Sequence, residues 1–252
     1  MENKSFIVDT TLRYGEQEAG RTFSINKKIE IAKYLDNNNI YQIEAGIPAM
    51  GKAEKDCIIK IKDQCKNSLI STWNRLNIKD INDSFDCDPD IIHLSVPTSN
   101  LQIFTNLKKN KIWLEEKLKE CVFHAKSKGY EVTIGFEDAS RTNITYLIHL
   151  CNILRKLDIT RVRYADTVGM LTPSYAKKAV SRLIEETGID IEIHAHNDFG
   201  MALAVSLEAV KSGAKYVDCT LDGIGERAGN CNMYEFCKVM NINRDFLGNE
   251  KL

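Results

Sequence analysis

The sequence predicts an α/β protein of the (β/α)8 TIM-barrel class, on three observations. Short β-branched or apolar runs alternate with longer helical patterns, and the alternation repeats eight times. The chain has 252 residues, matching the roughly 250 that eight strand-helix units occupy. No linker or low-complexity tract divides it, so residues 1–252 read as a single catalytic barrel domain. An open doubly wound sheet shares the periodicity. The barrel makes a further demand, that chemistry gather in the loops after the strands.

The first strand is Phe6 to Thr10, and Ser24 caps a helix running to about Asn37. Tyr41 to Ala45 precedes a charged helix from Lys52 to Lys66, and Ser68 to Trp73 precedes a short helix, Ile78 to Phe85. The fourth strand is Ile91 to Val96. After a polar loop, the helix Lys111 to Lys128 stops at Gly129 and leads into Glu131 to Phe136. The helix Asn143 to Leu157 feeds Arg161 to Ala165. Pro173 opens a helix that Gly188 closes after Thr187, and Asp190 to Ala195 is the seventh strand. A helix from Met201 to Ser212, stopped by Gly213, returns to the eighth, Tyr216 to Thr220.

Composition narrows the chemistry. With 43% hydrophobic and 27% charged residues the chain can bury a large core, and a net charge of -1 exerts no general pull on nucleic acid or anionic lipid. No apolar run approaches the roughly 20 residues of a membrane helix, and the start, Met-Glu-Asn-Lys-Ser, lacks the regions of a signal peptide. A cytoplasmic location is expected. The eight cysteines show no CxxC spacing and read as reduced core thiols rather than a disulfide framework or zinc ribbon.

The unusual polar residues fall where the barrel requires. Arg13 follows strand one, Glu44 ends strand two and Asn74 follows strand three. His93 and Ser95 lie in strand four with Ser99 beyond it, and Glu137, Asp138 and Arg141 follow strand five. Asp166 and Thr167 follow strand six, and Gly223 to Asn230 follows strand eight. Ile191-Glu-Ile-His-Ala-His-Asn-Asp-Phe-Gly200 sets His194 and His196 on one face of a strand end. Two imidazoles so placed suit a metal, and equally suit two packed histidines at a barrel mouth. His124 and His149 fall inside helices, where a surface or core role is expected. The glycines at 223, 225 and 229 let their loop fold tightly, but it follows the last strand and lacks dinucleotide spacing, so phosphate binding there is rejected.

Six stretches in chain order carry a resemblance. They are Asp9-Thr-Thr-Leu-Arg-Tyr-Gly-Glu-Gln17, Ile43-Glu-Ala-Gly-Ile-Pro-Ala-Met-Gly51, Glu137-Asp-Ala-Ser-Arg141, Ala165-Asp-Thr-Val-Gly169, His194-Ala-His-Asn197 and Gly225-Glu-Arg-Ala-Gly-Asn230. Together they resemble the metal-dependent barrel family of isopropylmalate synthases, homocitrate synthases and hydroxymethylglutaryl-CoA lyases. They are most similar to the homocitrate synthases associated with nitrogen fixation. The resemblance implies a Claisen-type condensation, in which acetyl-CoA loses a methyl proton and attacks the ketone carbon of a 2-oxo acid, with 2-oxoglutarate favoured. It implies a divalent cation (Mg, Mn, Zn, Co or Fe) on His194, His196 and Asn230, acting as a Lewis acid. It gives Arg13 the polarising role, for which a permanent charge and a fork of donors are suited. Glu44 and Thr167 are implied substrate-pocket residues, Gln17 binds substrate beside Arg13, and Glu137 is the candidate base or its orienting partner. The plainer readings are that Glu44 pairs with Arg13 or Arg141, and that Thr167 is a turn or helix-entry hydroxyl.

Two departures from the family pattern bear on function. After the arginine the family has a metal-binding carboxylate, whereas here Tyr14 stands, a neutral phenol with pKa near 10. Tyr14 therefore either weakens the metal site or serves as a new acid-base group. The family's synthases also continue past the barrel, so the chain reads as the barrel subunit of a split enzyme with a separate C-terminal subunit, or as a homodimer. Alternatives are a lyase or aldolase of the same family with another substrate, or a non-catalytic subunit with a degraded metal site.

Overall fold

The structure, a computed structural model, describes residues 5–242. Eight parallel strands close into a barrel in chain order. They are β1 (Phe6–Asp9), β2 (Gln42–Gly46), β3 (Leu69–Arg75), β4 (Ile91–Pro97), β5 (Glu131–Glu137), β6 (Arg161–Asp166), β7 (Asp190–Ala195) and β8 (Tyr216–Cys219). The helices that follow them are α1 (Ile25–Asn37), α2 (Lys52–Gln64), α3 (Ile78–Phe85), α4 (Lys111–Lys126), α5 (Ile144–Arg155), α6 (Pro173–Thr187), α7 (Ala202–Lys211) and α8 (Met233–Met240). The register of β1 on β8, Phe6 opposite Tyr216 through Asp9 opposite Cys219, closes the cylinder and excludes the open sheet. Lacing is uneven around the ring: β4 and β5 pair from Ile91↔Glu131 to Pro97↔Glu137, whereas β1–β2 and β7–β8 each pair at two positions.

Local signals set the helix ends. Ser24, Asn77, Asn110, Asn143, Thr172 and Asn232 each accept a backbone N–H of the first turn, satisfying donors that a helix start leaves open. Gly188 takes a left-handed conformation (φ 65°), which a side chain would resist, and ends α6 where the sequence predicts. Three elements differ from expectation. β3 runs on to Arg75, so Asn74 lies within the strand, where it accepts from Ser84 at 2.7 Å. The polar loop after β4 contains a π-helical turn, Gln102–Asn106. α4 ends at Lys126, before the turn into Gly129 (φ 88°).

The apolar core is the sleeve between strands and helices, built by side chains such as Ile43, Ile70, Leu94, Ile134, Val162 and Ile193 facing Leu35, Ile58, Leu118, Leu150 and Leu183. The cylinder's interior is polar. At its floor Phe6, Tyr41 and Tyr216 pack with ring centroids 4.7–5.5 Å apart, and the Arg161 guanidinium lies 4.4 Å from the Tyr216 ring. Above them every inward position on β6 and β7 up to Arg163 and His194 carries a charge or an imidazole, all buried. Charges so far from water need partners. They have them, and the next layer up is the site.

Candidate active site

Arg163 is the hub beneath the site. It is 1% exposed and pairs with Glu44 (2.8 Å), Asp218 (2.9 Å) and Glu192. Arg161 donates to Gln42 at 2.7 Å and lies 3.3 Å from Glu192. Burial alone would raise the pKa of Glu192, but Arg163 and Arg161 outweigh it and hold the carboxylate well below its usual range. Asp218 moves the other way, since burial dominates and Glu192 adds repulsion.

Asp218 connects this layer to the histidines. Its Oδ2 lies 2.9 Å from Arg163 Nε, in an ion pair, and 3.1 Å from His194 Nδ1. The tautomer of His194 that donates from Nδ1 to this oxygen keeps its lone pair on Nε2. Burial, then the neighbouring His196 and Arg163, push the His194 pKa well below its usual value; burial and Arg227 bring His196 down to about 4. Both rings are neutral, the form that binds metals. Their centroids are 4.9 Å apart, and both line a cavity of about 120 Å³ at the mouth.

Arg13 reaches this cavity from the turn after β1. Its Nη1 donates to Gln17 at 2.7 Å, and its guanidinium lies between the rings of Tyr14 (3.9 Å) and Trp73 (4.4 Å). Its Nε is buried without a partner. Glu137, at the end of β5, receives Gln102 Nε2 on one oxygen (3.0 Å) and Ser95 Oγ on the other (3.3 Å). Thr167 Oγ1 accepts the Asp138 N–H at 2.8 Å, leaving its own proton to donate. His93 enters from β4 with Nδ1 2.9 Å from Thr133 Oγ1. It lies across Gly135, where a Cβ would fall 2.5 Å from its Nε2. Burial, then Arg163, keep it uncharged.

Of the residues read from sequence, Arg13, Gln17, Glu137, Thr167, His194 and His196 line this one cavity. Asn230 is bridged to His196 and is 3% exposed; its Nδ2 donates to Ile224 O at 2.9 Å while its Oδ1 has no partner. Glu44 lies a layer lower, fully buried, with both oxygens toward Arg163 and outside the cavity lining. Asp138 pairs with Arg141, and Asp166 folds back to accept the Met170 and Leu171 N–H groups, so those polar residues stabilise loops. His124 contacts Asn82, and His149 contacts Glu115, on the outer helices. Sequence reasoning did not single out Arg163, Glu192, Asp218, Trp73 or Gly135. The signal was alternation: Arg161 and Arg163, or Glu192 and His194, are two apart and so share the inward face.

His194 Nε2, His196 Nδ1 and Asn230 Oδ1 are all buried and unpartnered. Lone pairs of this kind fit a divalent cation. Among the described residues no group of three or more His, Cys, Asp or Glu adds a carboxylate to them. Tyr14 stands there instead, its ring 4.3 Å from His194 and 6.4 Å from His196. Burial raises its pKa against the pull of Arg13 and Arg163, so the phenol is neutral.

Residues 4–249 match the HMGL-like family. The chain belongs to that family. It is 50% identical over 234 residues to homocitrate synthase subunit alpha of Clostridium pasteurianum, covering 93% of this chain and 87% of that one. It is 44% identical to 2-isopropylmalate synthase 2 of Caldanaerobacter subterraneus subsp. tengcongensis, covering 91% of this chain but 60% of that protein. Homocitrate synthase of Frankia alni is 40% identical, with 92% and 66% covered. The chain thus spans under two thirds of these two longer HMGL-like synthases. Among solved structures, HMG-CoA lyase of Bacillus subtilis superposes with a TM-score of 0.86 over 97% of this chain and 89% of that one, at 18% identity, which supports the same barrel fold. No helix among the described residues is long and apolar enough to cross a membrane.

Proposed function

We propose that this chain is a single barrel domain catalysing a homocitrate-synthase-type condensation of acetyl-CoA with a small 2-oxo acid, 2-oxoglutarate favoured. The observation that carries this reading is the convergence of Arg13, Glu137 and two neutral imidazoles on one buried cavity. The named activities of its relatives support it. The relative called a subunit favours a split enzyme, in which a second polypeptide joins this barrel.

In this reading His194, His196 and Asn230 hold a divalent cation, which when bound polarises the ketone and so makes its carbon electrophilic. Asp218 fixes the His194 tautomer, and Glu44 acts through Arg163 as a positioning residue. Arg13 takes the substrate carboxylate or keto oxygen, with its unpartnered Nε toward the developing negative charge. Thr167 donates its hydroxyl proton to the substrate. Glu137, steadied by Gln102 and Ser95, removes the acetyl methyl proton; the carbanion attacks the ketone carbon, the alkoxide formed takes up a proton, and water then hydrolyses the thioester to free the CoA thiol. Gln17 keeps Arg13 in position.

The test is release of CoA thiol from acetyl-CoA with a panel of 2-oxo acids, with and without added divalent metal, alone and with a partner polypeptide. Release dependent on 2-oxoglutarate and lowered about 10²–10⁴-fold in Glu137→Gln is expected. Release with another acid only would make the chain a family member of different specificity. Silence throughout would leave a binding subunit with a lost metal site.

A further inference from the structure

We propose that Lys28, which lies outside the active-site cavity, is a positioning residue: it clasps the turn bearing Arg13 and Gln17 to the end of β2 and so fixes where the Arg13 guanidinium stands. What Arg13 then does to a substrate rests on the condensation reading; the clasp is independent of it. The turn after β1 runs through Arg13 and Tyr14 into the single helical turn Gly15–Gln17. Its near end is held by Thr10 O, which accepts from the N–H groups of Arg13, Tyr14 and Gly15. Its far end carries Gln17, the partner of Arg13 Nη1, and is held through the adjacent Glu16. Glu16 Oε1 accepts the Phe23 N–H at 3.1 Å, and its Oε2 pairs with Lys28 Nζ at 2.6 Å.

Lys28 sits early in α1, only 5% exposed, and its ammonium also donates to Glu54 Oε2 in the first turn of α2, at 2.9 Å. Glu54 Oε1 accepts the Ile47 N–H at 3.3 Å, and the carboxylate lies so close over Gly46 that a Cβ there would collide with it. The chain of contacts thus ends on the backbone where β2 stops. Burial opposes the Lys28 charge, but the bonds to Glu16 and Glu54 outweigh it and keep the ammonium protonated. The nearby Arg21 is taken by Glu18. Packing does not do the same work, because a cavity of about 320 Å³ borders Glu16, Lys28 and Glu54 and leaves the turn room to swing. A buried cation between two carboxylates is a demanding arrangement, and it stands where a small displacement of a forked donor would be felt in the chemistry.

Trp73 reports on the clasp without turnover. The chain has two tryptophans, so Trp113→Phe leaves Trp73, whose ring the Arg13 guanidinium covers at 4.4 Å. In that background Lys28→Met, and Glu16→Gln as the change that leaves the buried lysine in place, should raise acrylamide quenching of Trp73 toward the value set by Arg13→Ala. In the thiol-release assay each should lower kcat about 10²-fold and leave the KM for acetyl-CoA unchanged. The double variant should be no worse than Lys28→Met alone, since both changes open one clasp. Quenching at the parental value in folded Glu16→Gln overturns the proposal, and so does a parental kcat in both variants. A lysine that merely stabilises the fold would lower the melting temperature and give those two results. Raised quenching in a chain that condenses nothing keeps the clasp and removes the reaction.

Discussion

Tyr14 sets a neutral ring beside the open lone pairs of the imidazole pair, where a carboxylate would add negative charge. Its neutral ring lies against His194 while three lone pairs nearby go unused. Tyr14→Asp should raise divalent-metal affinity by about 10–100-fold, read by equilibrium dialysis; no gain would mean that the turn after β1 does not aim this position at the lone pairs. Arg13 is equally particular, because a lysine cannot reproduce a planar fork held between two rings. Arg13→Lys should lower kcat about 10²–10³-fold in the thiol-release assay. Asp9 gives a test of stability. Burial, opposed by bonds from Thr11, raises its carboxyl from 3.8 to about 7. The folded chain thus keeps a proton that the unfolded chain releases, so this stabilising contribution is complete below about pH 4 and lost as pH climbs to about 7. Asp9→Asn, which cannot ionise, should match the parent near pH 4 and exceed it by up to about 4 kcal/mol above pH 7 in urea unfolding. A constant difference across that range would contradict the buried ionisation.

Among the elements, β5 shows how backbone and side chains share the making of the cavity. Only a glycine at 135 lets His93 lie flat across the strand, and Thr133, two residues earlier, holds the ring by its other nitrogen. Gly135→Ala should cost about 1–3 kcal/mol through displaced packing. Pairing it with His93→Ala should recover most of that loss, a coupling that a double-mutant cycle measures. The strands and helices themselves were legible in the sequence, since caps such as Ser24 and Asn143 and stops such as Gly188 act locally. The site was legible wherever a residue stands at a strand end, as Arg13, Glu137 and His194 do. Glu44 was harder to read, because its depth depends on Arg163, which is 119 residues away in sequence. The π-helical turn that delivers Gln102 to Glu137 had no sequence signal, since its polar residues read as loop.

For the whole molecule, the polar interior makes the barrel's stability hostage to charge balance. Arg163 answers three carboxylates at once. Arg163→Met should destabilise the fold by about 3–5 kcal/mol at neutral pH, because it strands buried anions. Part of that loss should return in acid, when those anions take up protons, and thermal unfolding at two pH values checks both statements. The thin lacing on either side of the β1–β8 pair has a different kind of consequence. Those two staves adjoin the loops bearing Arg13 and Asn230, and each joins its other neighbour at only two register positions. Amide hydrogens there should trade for deuterium ahead of those on the long β4–β5 ladder. Exchange concentrated there would put the barrel's looser wall beside the loops that carry Arg13 and Asn230, across from the firmly laced β4–β5 side.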